Sequence, residues 1–245
     1  MIGENFEKVK ARIAAACARV KRDPAEITLV AVTKGRNVDE IAQAVAAGAI
    51  DIGENMIQEA LVKFNAKPLA ISHKPIKWHM VGHLQTNKVK EAVGIFDLIH
   101  SIDSLRLAIE IDKQAAKINK IQDVLIEIKT SPEATKSGIL PQEAGKLIEE
   151  IAHFKNIALK GFMTIAPLVD DPEKARPYFR ILRELKDSFS HVQYAISHMP
   201  ILSMGMTDDF EVAIEEGATM VRIGRAIFEG VSLRANEVGE AIPKT

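Results

Sequence analysis

The chain has 245 residues, 47% hydrophobic and 27% charged, the composition of a globular protein with a full apolar core. A net charge of -1 leaves no basic surplus that would point to nucleic acid or an anionic membrane. The lone cysteine, Cys17, excludes an internal disulfide and a cysteine-built metal cluster. The opening residues carry acids where a secretory leader needs a basic head, and no stretch approaches roughly 18 uninterrupted apolar residues. A cytoplasmic protein without a membrane span is therefore expected.

An amphipathic helix is predicted over about 4–21. From residue 27 onward, short apolar runs alternate with segments of helical period. The strands are expected at 27–32, 49–53, 77–82, 98–102, 124–129, 159–165, 201–204 and 220–224. Several are nearly continuous apolar runs, as strands covered on both faces should be. Between them, 103–118 keeps Leu105, Ala108, Ile109, Ala115, Ala116 and Ile118 on one face and charges on the other. Asn37 with Glu40, and Asp208 with Glu211, have capping-box spacing, and Gly48 and Gly217 end those helices. Eight such alternations in a chain of this length favour a (β/α)8 TIM barrel over an open doubly wound sheet, since no Gly-rich dinucleotide turn follows the first strand. Without a Pro- or Ser-rich linker, 1–245 reads as a single domain, with the extra helix at about 4–21 and the barrel at about 27–235. Lys34 precedes Gly48 by the same interval that separates Ser203 from Gly217, which places Lys34 and Ser203 at equivalent strand ends.

Barrel enzymes carry their working groups where strands end and βα loops begin. Alternation puts Lys34 on the face of Val30 and Val32. An ammonium at an apolar barrel mouth loses hydration, and the free amine can attack an aldehyde to form a Schiff base. A solvated strand-end lysine is the ordinary reading of that residue alone. Ser203-Met204-Gly205 and Arg222-Ile223-Gly224-Arg225-Ala226 end the last two strands, where free backbone N–H groups and small residues suit a phosphate. Arg222 shares the inward face with Met220 and needs a carboxylate, a phosphate or a ring nitrogen as partner. An amine on the first strand and an anion nest on the last two describe a phosphorylated aldehyde, and pyridoxal 5'-phosphate (PLP) fits that description.

Glu54, Asn55, His83, Gln85, Ser101, Asp103, Met163 and Thr164 complete the expected walls, with Asp103 read as a helix cap. His79, His83, His100 and Glu54 are candidate metal ligands, but they lack the dense spacing of a zinc or iron site, so no metal is expected. Lys63, Lys88, Lys129 and Lys136 are read as surface lysines.

The strings Leu29–Lys34, Ile52–Asn55 with Gln58-Glu59, Trp78–Lys88, His100–Asp103, Glu133–Gly138, Gly161–Thr164, Leu202–Met206 and Val221–Gly224 together resemble the pyridoxal phosphate homeostasis protein family. The resemblance runs from about residue 27 to 230. It implies a barrel like the N-terminal domain of alanine racemase, with PLP held as a Schiff base on Lys34. It further implies that Ser203, Gly205 and the backbone of Gly224 and Arg225 hold the phosphate, that Arg222 faces the pyridine nitrogen, and that Asn55 and Met163 lie beside the cofactor. Gly35-Arg36-Asn37 and Pro132 depart from the family pattern, both in loops. A racemase needs a tyrosine base, and the two tyrosines, Tyr178 and Tyr194, stand in no matching motif. A cation beside the ring nitrogen disfavours its protonation and mutes the ring as an electron sink. The resemblance therefore implies a non-catalytic regulator of intracellular PLP, with PLP-dependent apo-enzymes as candidate partners; without a match to the second domain of a racemase, a monomer is expected. A PLP-dependent racemase or lyase, and a cofactor-free Schiff-base aldolase, stand as alternatives.

Overall fold

Ile2, Phe6, Val9, Ile13, Ala16 and Cys17 recur at three- and four-residue steps, so the first helix, α1 (Ile2–Arg19), buries one continuous stripe. This is the extra helix expected from the sequence, and it lies outside the barrel against the last two helices. Arg12 forms a forked pair with Glu211 at 3.0 and 3.2 Å and stacks over Phe210, while the Asn5 side-chain amide donates to the Ile227 carbonyl. The structure is a computed structural model and describes residues 1–66, 75–133, 137–189 and 199–230.

Eight parallel strands close into a barrel in sequence order. They are β1 (Thr28–Val32), β2 (Asp51–Glu54), β3 (Lys77–Met80), β4 (Leu98–Ile102), β5 (Gln122–Glu127), β6 (Ile157–Met163), β7 (Ile201–Ser203) and β8 (Met220–Ile223). The seam joins β8 to β1, with Arg222 opposite Val30 and Ile223 opposite Ala31. Around the barrel run α2 (Val38–Ala46), α3 (Ile57–Asn65), α4 (Val89–Ile95), α5 (Leu105–Lys117), α6 (Ala144–Ile151), α7 (Arg176–Ser188), α8 (Phe210–Glu215) and the short α9 (Arg225–Phe228).

The period of two separates two apolar layers. Val30, Val32, Val81, Leu98, Leu125, Met163 and Met220 fill the barrel interior. Alternate residues such as Ala31, Ile52, Trp78, Ile99, Val124, Ile126, Phe162, Leu202 and Val221 pack outward beneath the helices. A register shift between Ile99 and Ile102 lets β4 carry Leu98 on the inner layer and Ile102 on the outer one.

Local signals held in part. Asn37 and Glu40 form the expected capping box, and Gly48 and Gly217 follow α2 and α8 at φ +105 and +96. The second expected box does not form: Asp208 pairs with Arg225 and Glu211 with Arg12, and the N-cap position of α8 is Asp209. Nor does Asp103 cap α5. Ser104 accepts from the Leu107 N–H there, and Asp103 faces His83 at 3.3 Å. Residues 134–136 of the 133–138 motif, Lys136 among them, lie outside the described residues, as do Tyr194 and the stretch of the expected barrel beyond 230.

Candidate functional site

The strand ends of β1, β2, β7 and β8 meet on one side of the barrel mouth. Lys34 lies two residues past β1, in a turn, with its side chain exposed. The protein alone therefore does not impose the loss of hydration expected for this amine. The turn beneath it is held firmly by α3. Lys63 places its ammonium 2.5 Å from the Thr33 carbonyl, 2.6 Å from Glu54 Oε1 and 2.7 Å from Glu59 Oε1. The Gly35 N–H donates to Glu59 Oε1, and the Thr33 hydroxyl donates to the Glu54 carboxylate. Lys63 and Glu54 are buried between barrel and helix, which corrects the reading of Lys63 as a surface lysine and of Glu54 as part of the mouth wall. Glu59 and Lys63 stand one helical turn apart on α3 and so reach the same turn. Burial pushes the Glu54 carboxyl above its usual range, against the opposing pull of Lys63 and Thr33.

Asn55 follows β2 and lines a cavity of about 360 Å³ that also takes in His83, Glu127, Thr130 and Ser137. Gly82 lies against the Asn55 backbone, where a Cβ would sit 2.4 Å from its carbonyl oxygen. Lys129 lines this cavity half-buried, and Lys88 is half-buried outside it. Glu127 points inward from β5. Burial first, and Asp103 second, push its carboxyl up to about 7, with Arg222 opposing.

On the β7–β8 side, Gly205 turns at φ +93 and its carbonyl accepts from the Arg222 N–H at 3.0 Å. A Cβ on Gly205 would lie 2.6 Å from that of Ala213, so only glycine fits between β7 and α8. Gly224 meets the Val32 carbonyl in the same way, at 3.1 Å, which brings the start of α9 against the strand that carries Lys34. Arg225 is exposed and pairs with Asp208. Thr207, not singled out from the sequence, puts its hydroxyl 3.5 Å from the Ala226 N–H at the beginning of α9. Ser203 is located elsewhere. It is fully buried inside the barrel, where its hydroxyl lies 2.7 Å from Arg222 and 3.0 Å from His100. Its oxygen is thus committed within the barrel, and the hydroxyl facing the α9 backbone belongs to Thr207. Met163 lies below the mouth in the inner apolar layer.

Arg222 is buried at the inner end of the site. Its two hydrogen bonds go to neutral groups, the Ser203 hydroxyl and, at 2.9 Å, the Thr164 carbonyl. Thr164 is fixed in turn by the Ile128 carbonyl and by Thr130. Burial pulls the guanidinium down to about 10, which still leaves it charged at neutral pH, and Asp209 and Glu127 act from nearby in the opposite sense. A guanidinium has five N–H donors, so three remain beyond these two bonds among the described residues.

The four residues weighed for a metal do not converge. His79 and His100 meet inside the barrel, Glu54 lies on its outer side and His83 is on the surface beside Asp103. Among the described residues, no group of three or more His, Cys, Asp or Glu is arranged to hold a metal ion, and no helix is long and apolar enough to cross a membrane.

Several of these positions were open to strand periodicity. Asp51 and Glu127 stand two residues from Gly53 and Leu125, both of which line the interior, and alternation alone would have turned them inward. Lys63 offered no such signal beyond its helical spacing from Glu59.

Residues 2–231 match the family described as alanine racemase, N-terminal domain. A pyridoxal phosphate homeostasis protein of Aquifex aeolicus is 44% identical over 225 residues, covering 92% of this chain and 96% of its own length. The structure of PipY from Synechococcus elongatus, with PLP bound, superposes with a TM-score of 0.77 at 31% identity, covering 88% of this chain and 99% of PipY. An alanine racemase of Clostridium difficile shares the fold, with a TM-score of 0.66 at 16% identity; 91% of this chain corresponds to 56% of that enzyme.

Proposed function

The chain belongs to the pyridoxal phosphate homeostasis protein family, and from that premise we propose that it binds PLP at the mouth of its barrel and acts in intracellular PLP balance without catalysing a reaction of its own. The observation that carries this reading is Arg222, a buried guanidinium whose hydrogen-bond partners are neutral and whose remaining donors require an acceptor. A pyridine nitrogen is such an acceptor.

The neighbouring residues fit the rest of the cofactor. Lys34 supplies the amine that takes up the aldehyde as a Schiff base, and its exposure leaves it accessible for both loading and release. Thr207, Gly205 and the backbone of Gly224 and Arg225 form the phosphate cradle, whose two glycines let β7 pack close to α8 and the start of α9 close to β1. Ser203 supports Arg222 from below, while Asn55 and Met163 bound the space beside and beneath the ring. When bound, PLP supplies an electrophilic carbon and a conjugated ring. Arg222 can only donate to the ring nitrogen, which keeps that nitrogen unprotonated and the ring a poor electron sink.

The non-catalytic assignment rests on that muted ring. Residues 1–245 are proposed to form one domain that functions as a monomer and serves PLP-dependent apo-enzymes in the cytoplasm. Glu127 favours a second reading, a PLP-dependent enzyme, because a carboxyl held at about 7 beside the mouth is suited to moving protons.

The test is the visible absorption spectrum of the purified protein after PLP addition, followed by borohydride reduction and peptide mass mapping. A band lost on reduction, with the cofactor mass on the Lys34 peptide and no band in Lys34→Ala, is expected. An unchanged band in Lys34→Ala refutes the assignment. Solvent deuterium entering Cα of an added amino acid in a Lys34- and Glu127-dependent manner would transfer the case to the enzyme.

A further inference from the structure

Five polar side chains form a continuous line through the barrel interior. Arg222 of β8 lies 2.7 Å from the Ser203 hydroxyl of β7, which lies 3.0 Å from His100 Nδ1 of β4. His100 Nε2 lies 3.0 Å from His79 Nδ1 of β3, and His79 Nε2 lies 2.9 Å from Asp51 Oδ1 of β2. The four from Arg222 to His79 are at most 4% exposed. Asp51 ends the line at the opposite side of the barrel from the mouth, where it borders a second cavity, of about 350 Å³, beside Lys10, Phe6 and Ile13.

Donor and acceptor rules give this line one direction. The Asp51 carboxylate only accepts and the Arg222 guanidinium only donates, so with both rings neutral the line runs from Arg222 to Asp51: the Ser203 oxygen accepts from Arg222 and its own proton goes to His100 Nδ1. His100 then carries its own proton on Nε2 and donates to His79 Nδ1, and His79 Nε2–H donates to the Asp51 carboxylate. This arrangement gives every proton in the line an acceptor. Burial, then the adjacent His79 and Arg222, hold His100 well below its usual pKa and hence neutral. Such chains polarise cooperatively and fix the tautomer and orientation of each member.

We propose that Ser203, His100, His79 and Asp51 are positioning residues for Arg222, forming a one-directional hydrogen-bond relay that anchors the guanidinium and aims its remaining donors at the mouth. Its effect on a bound ring rests on the PLP reading above; the relay itself does not. Around Arg222 the charged or titratable groups are Glu127 from β5, Asp209 from the β7–α8 connection and His100 from β4. Neither carboxylate is bonded to the guanidinium, so its orientation comes from the relay on one side and the Thr164 carbonyl on the other. With the relay cut, Arg222 keeps only its bond to the Thr164 carbonyl, and a ring nitrogen at the mouth gains freedom to protonate.

The experiment has two parts on the full-length protein. Histidine ¹⁵N NMR of the cofactor-free protein at about pH 7 should show His79 and His100 as neutral Nε2–H tautomers, assigned with the His79→Gln and His100→Asn variants. A His100 found as the Nδ1–H tautomer or as the imidazolium overturns the relay. The second part adds PLP labelled with ¹⁵N in the ring. The wild type should show an unprotonated ring nitrogen, and Ser203→Ala should move its ¹⁵N shift toward the protonated form and weaken binding about tenfold or more. Ser203→Thr should restore both, and Asp51→Asn should shift the pH midpoint of the cofactor band. Unchanged ring signals and pH midpoint in Ser203→Ala and Asp51→Asn refute the positioning role. Correct histidine tautomers in a wild-type protein that takes up no PLP leave the relay standing and reject the cofactor reading instead.

Discussion

Lys63→Met keeps the aliphatic stem of a buried side chain and deletes its ammonium. Three oxygens then lose a donor, the Thr33 carbonyl and one oxygen each of Glu54 and Glu59, now 2.5, 2.6 and 2.7 Å away. Glu59 is 28% exposed and can turn to water, whereas Glu54 is fully enclosed and its Oε2 already has no hydrogen-bond partner among the described residues. Removing one partner of a buried ion pair costs about 3–5 kcal/mol. In a chain of this size that corresponds to a fall in Tm of roughly 6–20 °C. Glu54 can escape the cost by taking a proton, so the deficit depends on pH. Burial already raises its folded pKa above the unfolded value, and losing Lys63 raises it further. The protonated native state is then favoured, so the deficit is small below the unfolded pKa and grows as pH rises through the folded one. Thermal unfolding followed by circular dichroism at about pH 5 and about pH 8 measures this. A deficit under about 1 kcal/mol at pH 8, or one equal at both values, refutes the buried-pair argument. The double variant Lys63→Met with Glu54→Gln should recover most of the lost stability. Because Lys63 also holds the Thr33 carbonyl, the single variant should weaken PLP uptake at Lys34 even at temperatures where it is folded.

Two further substitutions probe the mouth. Glu127 titrates at about 7 in the folded chain against an ordinary 4.5, so its contribution favours the protonated native state and is lost as pH rises between those values. Glu127→Gln should stabilise the cofactor-free protein by up to about 3 kcal/mol at about pH 8 and by almost nothing near pH 4, read from urea midpoints; parallel profiles for the two proteins would exclude Glu127 as the titrating group. Gly205→Ala forces a Cβ to 2.6 Å from Ala213 and 2.8 Å from Phe210 at φ +93, and should cost about 2–4 kcal/mol. Gly35→Ala, at φ +70 but in open space, should cost only about 1–2 kcal/mol, and equal losses at the two sites would show that backbone conformation alone sets the penalty.

Much of the architecture was legible because it repeats. The stripe of α1 and the alternation of short apolar runs with helical segments are periodic signals, and each of the eight expected strands overlaps an observed one. The Asn37–Glu40 box and the glycines after α2 and α8 were legible for the same reason, since a cap is satisfied within a few residues of chain. The second expected box failed because Arg225 and Arg12, brought in from distant segments, drew Asp208 and Glu211 away. Asp103 lost the α5 cap to Ser104 and meets His83 instead.

At the mouth, strand alternation and barrel order place Lys34, Asn55, Gly205, Arg222 and Gly224 at strand ends without knowledge of side-chain partners, so these positions are readable from the chain itself. What those residues touch emerges only in the closed barrel. Ser203 faces His100 and Arg222 across the barrel rather than the start of α9, Thr207 takes that place, and Lys63 leaves the surface to hold the turn of Lys34. Periodicity fixes the face on which a residue stands, but a polar side chain chooses its partner by distance across the closed barrel. Those distances arise only when strands far apart in the chain are brought together.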